Sequence, residues 1–333
     1  MKVRTRFARV IAAAALAGLV ASIILGLAAA RPAFAGEGGG SHYMPGTQGD
    51  FAMALIGPNG FYMRNDIMYF HGDIGPVTLG NRICSSASQD VWVDMVKVIY
   101  LAEGGILGGR LGTVVTVPIV LNAKASGELR YPFQGQESGS RSGVSDASLT
   151  SFLNWSSGNS HVSTGVTIFV PVGAYDEGRI INLGRNYWSF DPVATYTWLD
   201  PKRGHEISAT TGLLFNTTND ATDYSSGTEW HLDFMASQHF SKRLALGLEG
   251  SVLQGITDDS GPFLDQANTI LPALGLKPLD GFRAQYFGLG PAVVVSRTLA
   301  GKDINIIAKY LFDATHENRF NSDYLMVSVA FKL

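Results

Sequence analysis

Beyond Ala35 the sequence has no apolar run of the roughly 20 residues that a membrane-spanning helix needs. It is cut instead into twelve strings of about 10 to 15 residues, rich in Val, Ile, Thr, Tyr, Phe and Trp and separated by Gly, Asn, Asp and Ser. They fall near residues 61–74, 90–103, 110–124, 147–156, 159–172, 189–199, 205–217, 226–240, 243–257, 282–297, 301–313 and 321–333. Soluble strands average about five or six residues, whereas a tilted strand needs about 9 to 11 to cross a bilayer. The spacing predicts an all-β chain: a transmembrane antiparallel up-and-down β-barrel of about 12 strands, within a range of 10–14.

Alternation supports that reading. In the last string Leu325, Val327, Val329, Phe331 and Leu333 share one face, and Tyr324, Met326, Ser328, Ala330 and Lys332 the other. Ile304, Ile306, Ala308, Tyr310 and Phe312 oppose Asn305, Lys309 and Asp313, and Leu244, Leu246, Leu248 and Val252 oppose Glu249 and Ser251. Lipid offers no partner for a charge, so apolar-out and polar-in is what a barrel with a wet interior requires. A soluble sandwich alternates as well. The connections separate the two, because short turns (104–109, 157–158, 200–204, 241–242, 298–300) alternate with longer segments (75–89, 125–146, 173–188, 218–225, 258–281, 314–320). The second and tenth strings are weak members, with Asp94 and Lys97 on opposite faces of the one, and Arg283 and Gln285 sharing a face with Phe287 and Leu289 in the other. Aromatic residues near string ends, Tyr69, Phe70, Tyr100, Trp155, Trp188, Trp198, Trp230 and Phe240 among them, are placed as membrane girdles require.

The N-terminus carries Lys2, Arg4, Arg6 and Arg9, then an apolar run from Val10 to Ala30 closing on Ala33-Phe34-Ala35, the layout of a secretory signal peptide. An N-terminal anchor is the other reading of so long a run. Cleavage after Ala35 removes five cations and takes the formal charge from −3 to about −8. An acidic chain without a Lys/Arg-rich run offers nucleic acid no footprint. The single cysteine, Cys84, excludes a disulfide framework and cysteine-based metal sites. Three parts follow: 1–35 a signal peptide, 36–60 an N-terminal hatch or periplasmic segment, and 61–333 the barrel.

Several strings are familiar: Gly38-Gly39-Gly40-Ser41-His42-Tyr43, Gly49-Asp50-Phe51-Ala52 with Gly57-Pro58 and Gly60-Phe61-Tyr62, Asn154-Trp155 with Val170-Pro171 and Tyr175-Asp176, and Tyr224-Ser225-Ser226-Gly227 with His231 and Asp233. Together they resemble the outer-membrane family labelled "MetA-pathway of phenol degradation", along nearly the whole chain beyond the leader. That family is grouped loosely with the long-chain fatty-acid transporter barrels. The resemblance implies a channel for hydrophobic or aromatic compounds and supplies no catalytic residue to carry over. The chain departs from the usual barrel ending by closing on Leu333 instead of an aromatic.

Signals of chemistry are sparse. His161, His205, His231, His239 and His316 are dispersed without metal-ligand spacing, no G-x-S-x-G elbow or phosphate-binding loop occurs, and Asp258 to Gly261 lacks the ligand spacing of a calcium loop. Neither a metal, a cofactor nor an enzymatic activity is expected. Glu229, His231 and Asp233 share one face of a strand, since alternate residues do. With Arg64, Asp66 and Glu249 they are the candidates for the lumen and the solute path, either as a constriction or as a network that fills the interior.

Segment 36–60 has too few apolar residues for a core of its own. As a hatch it would place His42, Tyr43, Asp50 and Phe51 in the lumen, where Phe51, Met53, Leu55 and Ile56 would find somewhere dry; as a tail it would hang free. The expected molecule is a monomer in the bacterial outer membrane after export, partnered by lipid, passing small hydrophobic or aromatic compounds passively through a partly closed lumen. A structural or adhesive barrel displaying 125–146 and 258–281, and a barrel hydrolase, are the rivals.

Overall fold

The computed structural model describes residues 36–299 and 301–333; the expected signal peptide, 1–35, lies outside them. In chain order the strands are β1 (Gly60–Ile74), β2 (Val77–Leu79), β3 (Arg82–Ile106), β4 (Gly109–Tyr131), β5 (Gly135–Val144), β6 (Ala147–Ser157), β7 (Ser160–Val170), β8 (Ser189–Asp200), β9 (His205–Asn216), β10 (Glu229–Ser241), β11 (Leu244–Gly255), β12 (Gln285–Leu299), β13 (Lys302–Glu317) and β14 (Asp323–Lys332). Setting aside β2 and β5, which edge β3 and β4, each strand pairs antiparallel with the next, and β1 pairs with β14 from Tyr62↔Lys332 to His71↔Asp323. The sheet therefore closes into a twelve-stranded barrel, and closure leaves its backbone groups no unpaired edge to present to lipid.

The short connections all lie at one end and the long ones at the other, the arrangement that puts the short turns in the periplasm. Along the outside, Leu246, Leu248, Phe312 and Val327 stay 40–52% exposed, which suits acyl chains. Aromatic pairs stand at both rims of β1 and β3: Tyr69 beside Trp92 with ring centres 4.7 Å apart, and Phe61 beside Tyr100 at 4.8 Å. Phe70 is not part of a girdle. As the neighbour of Tyr69 on a strand it must face the opposite way, and it packs inside on Tyr324 at 5.4 Å.

The two faces of the weak second string also resolve. Lys97 points into the lumen and pairs with Asp66 at 2.7 Å, while Asp94 accepts a hydrogen bond from Asn65 on the outer surface.

Two segments expected as loops are ordered. Residues 125–131 continue β4, and β5 folds back on them from Gly127↔Glu137 to Leu129↔Gly135. Their sequence reads as a polar loop because Ser, Glu and Arg separate the residues of the inward face, on which Leu129 is 1% exposed and joins the core. Segment 258–281 contains helix α1 (Pro262–Ala273), with proline in its first turn and Leu264, Ala267 and Leu271 buried. These three lie at i, i+3 and i+7, one helical face. Phe263 meets the ring of Tyr131 at 6.2 Å, and Gln266 donates to the Tyr131 hydroxyl at 3.3 Å. Since β4 and β11 stand on opposite sides of the ring, α1 bridges the mouth at the long-loop end.

Candidate functional site

Segment 36–59 runs inside the barrel from the long-loop end to the short-turn end. At the top Glu37 accepts from Asn219 (2.8 Å), Thr222 (2.9 Å) and Tyr175 (3.4 Å), all in long loops. Burial raises the Glu37 carboxyl above the ordinary glutamate range, against the opposing pull of those hydrogen bonds. At the bottom Arg110, beside the β3–β4 turn, donates to the Gly57 carbonyl at 2.9 Å.

Between these ends the wall of β8–β14 and β1 grips the segment through charged side chains. Ser41 donates to Glu229. The Tyr43 ring stacks on His231 with centres 4.1 Å apart, and its hydroxyl donates to Asp233 at 2.5 Å. His231 holds both oxygens of Asp191 at 3.0 Å. The backbone N–H groups of Gly46 and Gln48 also donate to Asp233, at 3.2 and 2.9 Å.

Lys309 donates to the carbonyls of Gly46 and Gly49 and to Glu249 at 2.9 Å. A Cβ at position 49 would fall 2.2 Å from the Glu249 carboxylate, so any larger residue there must push that carboxylate aside. Asp50 pairs with Arg64, which also donates to Asp66 at 2.6 Å. Lower down, the Ala52 N–H donates to Glu206 at 2.5 Å and the Ala54 N–H to Thr197 at 2.9 Å. Asp191, Asp233, Glu249, Lys309, Arg64 and Asp50 thus each have a counter-charge or a peptide dipole within reach, the condition under which buried charges are tolerated, whereas Glu229, among the described residues, has only the Ser41 hydroxyl.

The opposite wall differs in kind. Val91, Val93 and Met95 of β3, Val120 of β4, Phe152 of β6 and Phe169 of β7 face inward and, with one side of segment 36–57, line a cavity of about 760 Å³. It extends from Phe320 and Tyr187 at the long-loop end to Gly57 and Tyr62 near the short turns. The lumen is divided lengthwise: a charged half holds the segment, and a half in which Val, Met and Phe stand among Thr116, Thr150, Thr167 and Lys97 leaves the cavity beside it.

Of the six residues expected to line the path, only Arg64 borders this cavity. Asp66, Glu229, His231, Asp233 and Glu249 are at most 4% exposed and take part in the interior network. His42, Tyr43, Asp50 and Phe51 all lie inside the barrel and border the cavity. His42 reaches Asp146 (3.0 Å) and Ser189 (2.7 Å) and stacks on Phe169 at 5.0 Å, while Phe51 meets His239 edge-on at 6.2 Å. Leu55 did not find a dry place and stays 44% exposed. The apolar lining residues went unnoticed in the sequence, where each reads as one more Val or Phe of a strand; only inward parity on adjacent strands could have marked them.

Comparison with known proteins agrees with this architecture. Residues 75–329 match the family described as "Putative MetA-pathway of phenol degradation". The crystal structure of the COG4313 outer membrane channel from Pseudomonas putida F1 is similar, with TM-score 0.63 and 16% identity, over 85% of this chain and 99% of that one. At that identity the likeness establishes the fold, an outer-membrane barrel. A Pseudomonas aeruginosa FadL homologue matches over 90% of this chain and 98% of its own with TM-score 0.39 and 8% identity, too low to carry an argument. No protein of curated function matches the chain.

Proposed function

Taking as premise that the chain belongs to the "Putative MetA-pathway of phenol degradation" family, we propose that it is a passive outer-membrane channel for small hydrophobic or aromatic compounds, working as a monomer. The observation that carries this reading is the largely apolar cavity running beside segment 36–57. Its size, about 760 Å³, falls within the roughly 300–1,000 Å³ of small-molecule sites. The Val, Met and Phe side chains of its wall suit an aromatic body. Segment 36–57 acts as a hatch that narrows the lumen without leaving it, because it is tied to the charged wall by buried and part-buried contacts from Ser41 to Ala54.

The test is uptake of labelled benzamide into liposomes, corrected for protein-free vesicles. Protein should accelerate uptake, and Ala123→Trp, which puts an indole where a 4% exposed alanine borders the path, should abolish the acceleration. Deleting residues 36–57 should raise ionic conductance in planar bilayers severalfold. Unchanged conductance would remove the hatch role, and uptake no faster than through lipid would remove the channel.

A further inference from the structure

Five cationic side chains border the cavity: Arg64, Lys97, Arg179, Arg185 and Arg319. Three have carboxylate partners, Arg64 with Asp50 and Asp66, Lys97 with Asp66, and Arg179 with Asp176. Arg185 and Arg319, at the long-loop mouth, have no carboxylate within 4.0 Å among the described residues.

Arg319 is 6% exposed. Its Nη1 has no hydrogen-bond partner, its Nη2 makes only a 3.4 Å contact to the Tyr324 hydroxyl, and the group sits 5.9 Å from the centre of the Tyr286 ring. The Arg185 backbone N–H is bound by Asp146 at 2.7 Å, but its guanidinium lies across Gly40, where a Cβ would fall 2.2 Å from Nη2. Glycine at 40 is what makes room for that charge.

The acids whose charge reaches Arg185 are Glu37 and Glu229, and Glu229 and Asp313 reach Arg319. None of the three forms an ion pair with them, and Asp313 pairs with His316 at 3.0 Å. Glu37 is taken by Asn219, Thr222 and Tyr175, and Glu229 by Ser41, leaving one Glu229 oxygen without a partner.

A buried guanidinium without a counter-charge is among the costliest groups a fold can hold, and its planar fork of donors matches the two oxygens of a carboxylate. Granting that solute travels this cavity, we propose that Arg185 and Arg319 form a carboxylate receptor at its mouth. The substrates are then small aromatic or aliphatic carboxylates. The charged end rests on the two guanidiniums while the apolar body lies along Val91, Val93 and Phe169. The counter-charge missing from the protein is supplied by the solute.

The experiment compares benzoate with its neutral isostere benzamide, at pH 7.5, in liposomes holding the full-length protein, both rates corrected for protein-free vesicles. Benzoate should exceed benzamide by about tenfold, the order of one charge-assisted hydrogen bond. Arg319→Gln and Arg185→Gln should each bring that ratio close to one. Gly40→Ala, which displaces the Arg185 head while keeping its charge, should act in the same direction, and Arg319→Lys should keep part of the preference. Neither guanidinium holds a carboxylate in an ion pair, so the unheated gel mobility of each variant should match that of the parent. Benzamide uptake without benzoate preference overturns the receptor and leaves the channel intact, as does a ratio unmoved by both Gln variants. Uptake of neither compound overturns the channel and, with it, the receptor.

Discussion

Lys309 shows at the scale of one residue how the lumen is organised. On β13 it alternates with Ile and Ala, and by parity alone it is an inward-facing cation of unknown use. In the fold its side chain is 4% exposed, and the ammonium touches Glu249 and two carbonyls of the N-terminal segment. Lys309→Ala should therefore cost about 3–5 kcal/mol, since it strands a buried carboxylate. The urea midpoint of the detergent-solubilised protein reads that loss. The double change Lys309→Met with Glu249→Leu should return most of it, because replacing a buried pair with apolar groups of similar size is close to neutral. A double variant no more stable than Lys309→Ala would show that the carbonyls, not the carboxylate, are what Lys309 serves.

At the scale of elements, the long-loop end is held by short polar clasps instead of a large core. Asp259, just ahead of α1, accepts from the Tyr224 hydroxyl and from the Gly227 N–H, each at 2.6 Å, and so joins the β9–β10 connection to the helix-bearing one. Burial pushes the Asp259 carboxyl well above the ordinary range, outweighing the two hydrogen bonds that would lower it. A raised folded value means that the fold favours the protonated acid. The clasp's contribution is thus complete below the unfolded pKa of about 3.9 and declines as pH rises through the folded value. Hydrogen-exchange protection of the Gly227 N–H, corrected for the intrinsic rate, should fall from pH 4 to pH 8. Protection that stays flat or rises would mean that the carboxylate is the form the loop holds.

For the whole molecule the exposed belt sets the behaviour. With large apolar side chains such as Phe312, Leu246 and Val327 40% exposed or more around a closed sheet, the protein should stay in solution only with detergent or lipid. It should also run as a compact band on gels until heated, since unfolding must break the sealing β1–β14 ladder together with its neighbours. A polypeptide monodisperse in plain buffer would contradict the barrel in a membrane.

What was legible in the sequence follows from the period of the strand. Alternation at two residues and turns of fixed chemistry are local properties, so the twelve strands, the asymmetry of the two ends and the inward faces of Asp66, His231 and Asp233 could be read one string at a time. Even Lys97 and Asp94, which weakened the second string, needed only partners on adjacent strands. The division of the lumen into a charged and a largely apolar half was not legible. It depends on which inward faces become neighbours around the ring and on which of them segment 36–57 chooses to cover. His231, Asp233 and Glu249 hold that segment, while Val91, Val120 and Phe169 border the open path, because buried charges must find peptide groups and counter-charges to survive desolvation and apolar walls need none. Strand period is settled within ten residues of sequence; the partners of a buried charge are settled only when strands two hundred residues apart close around it.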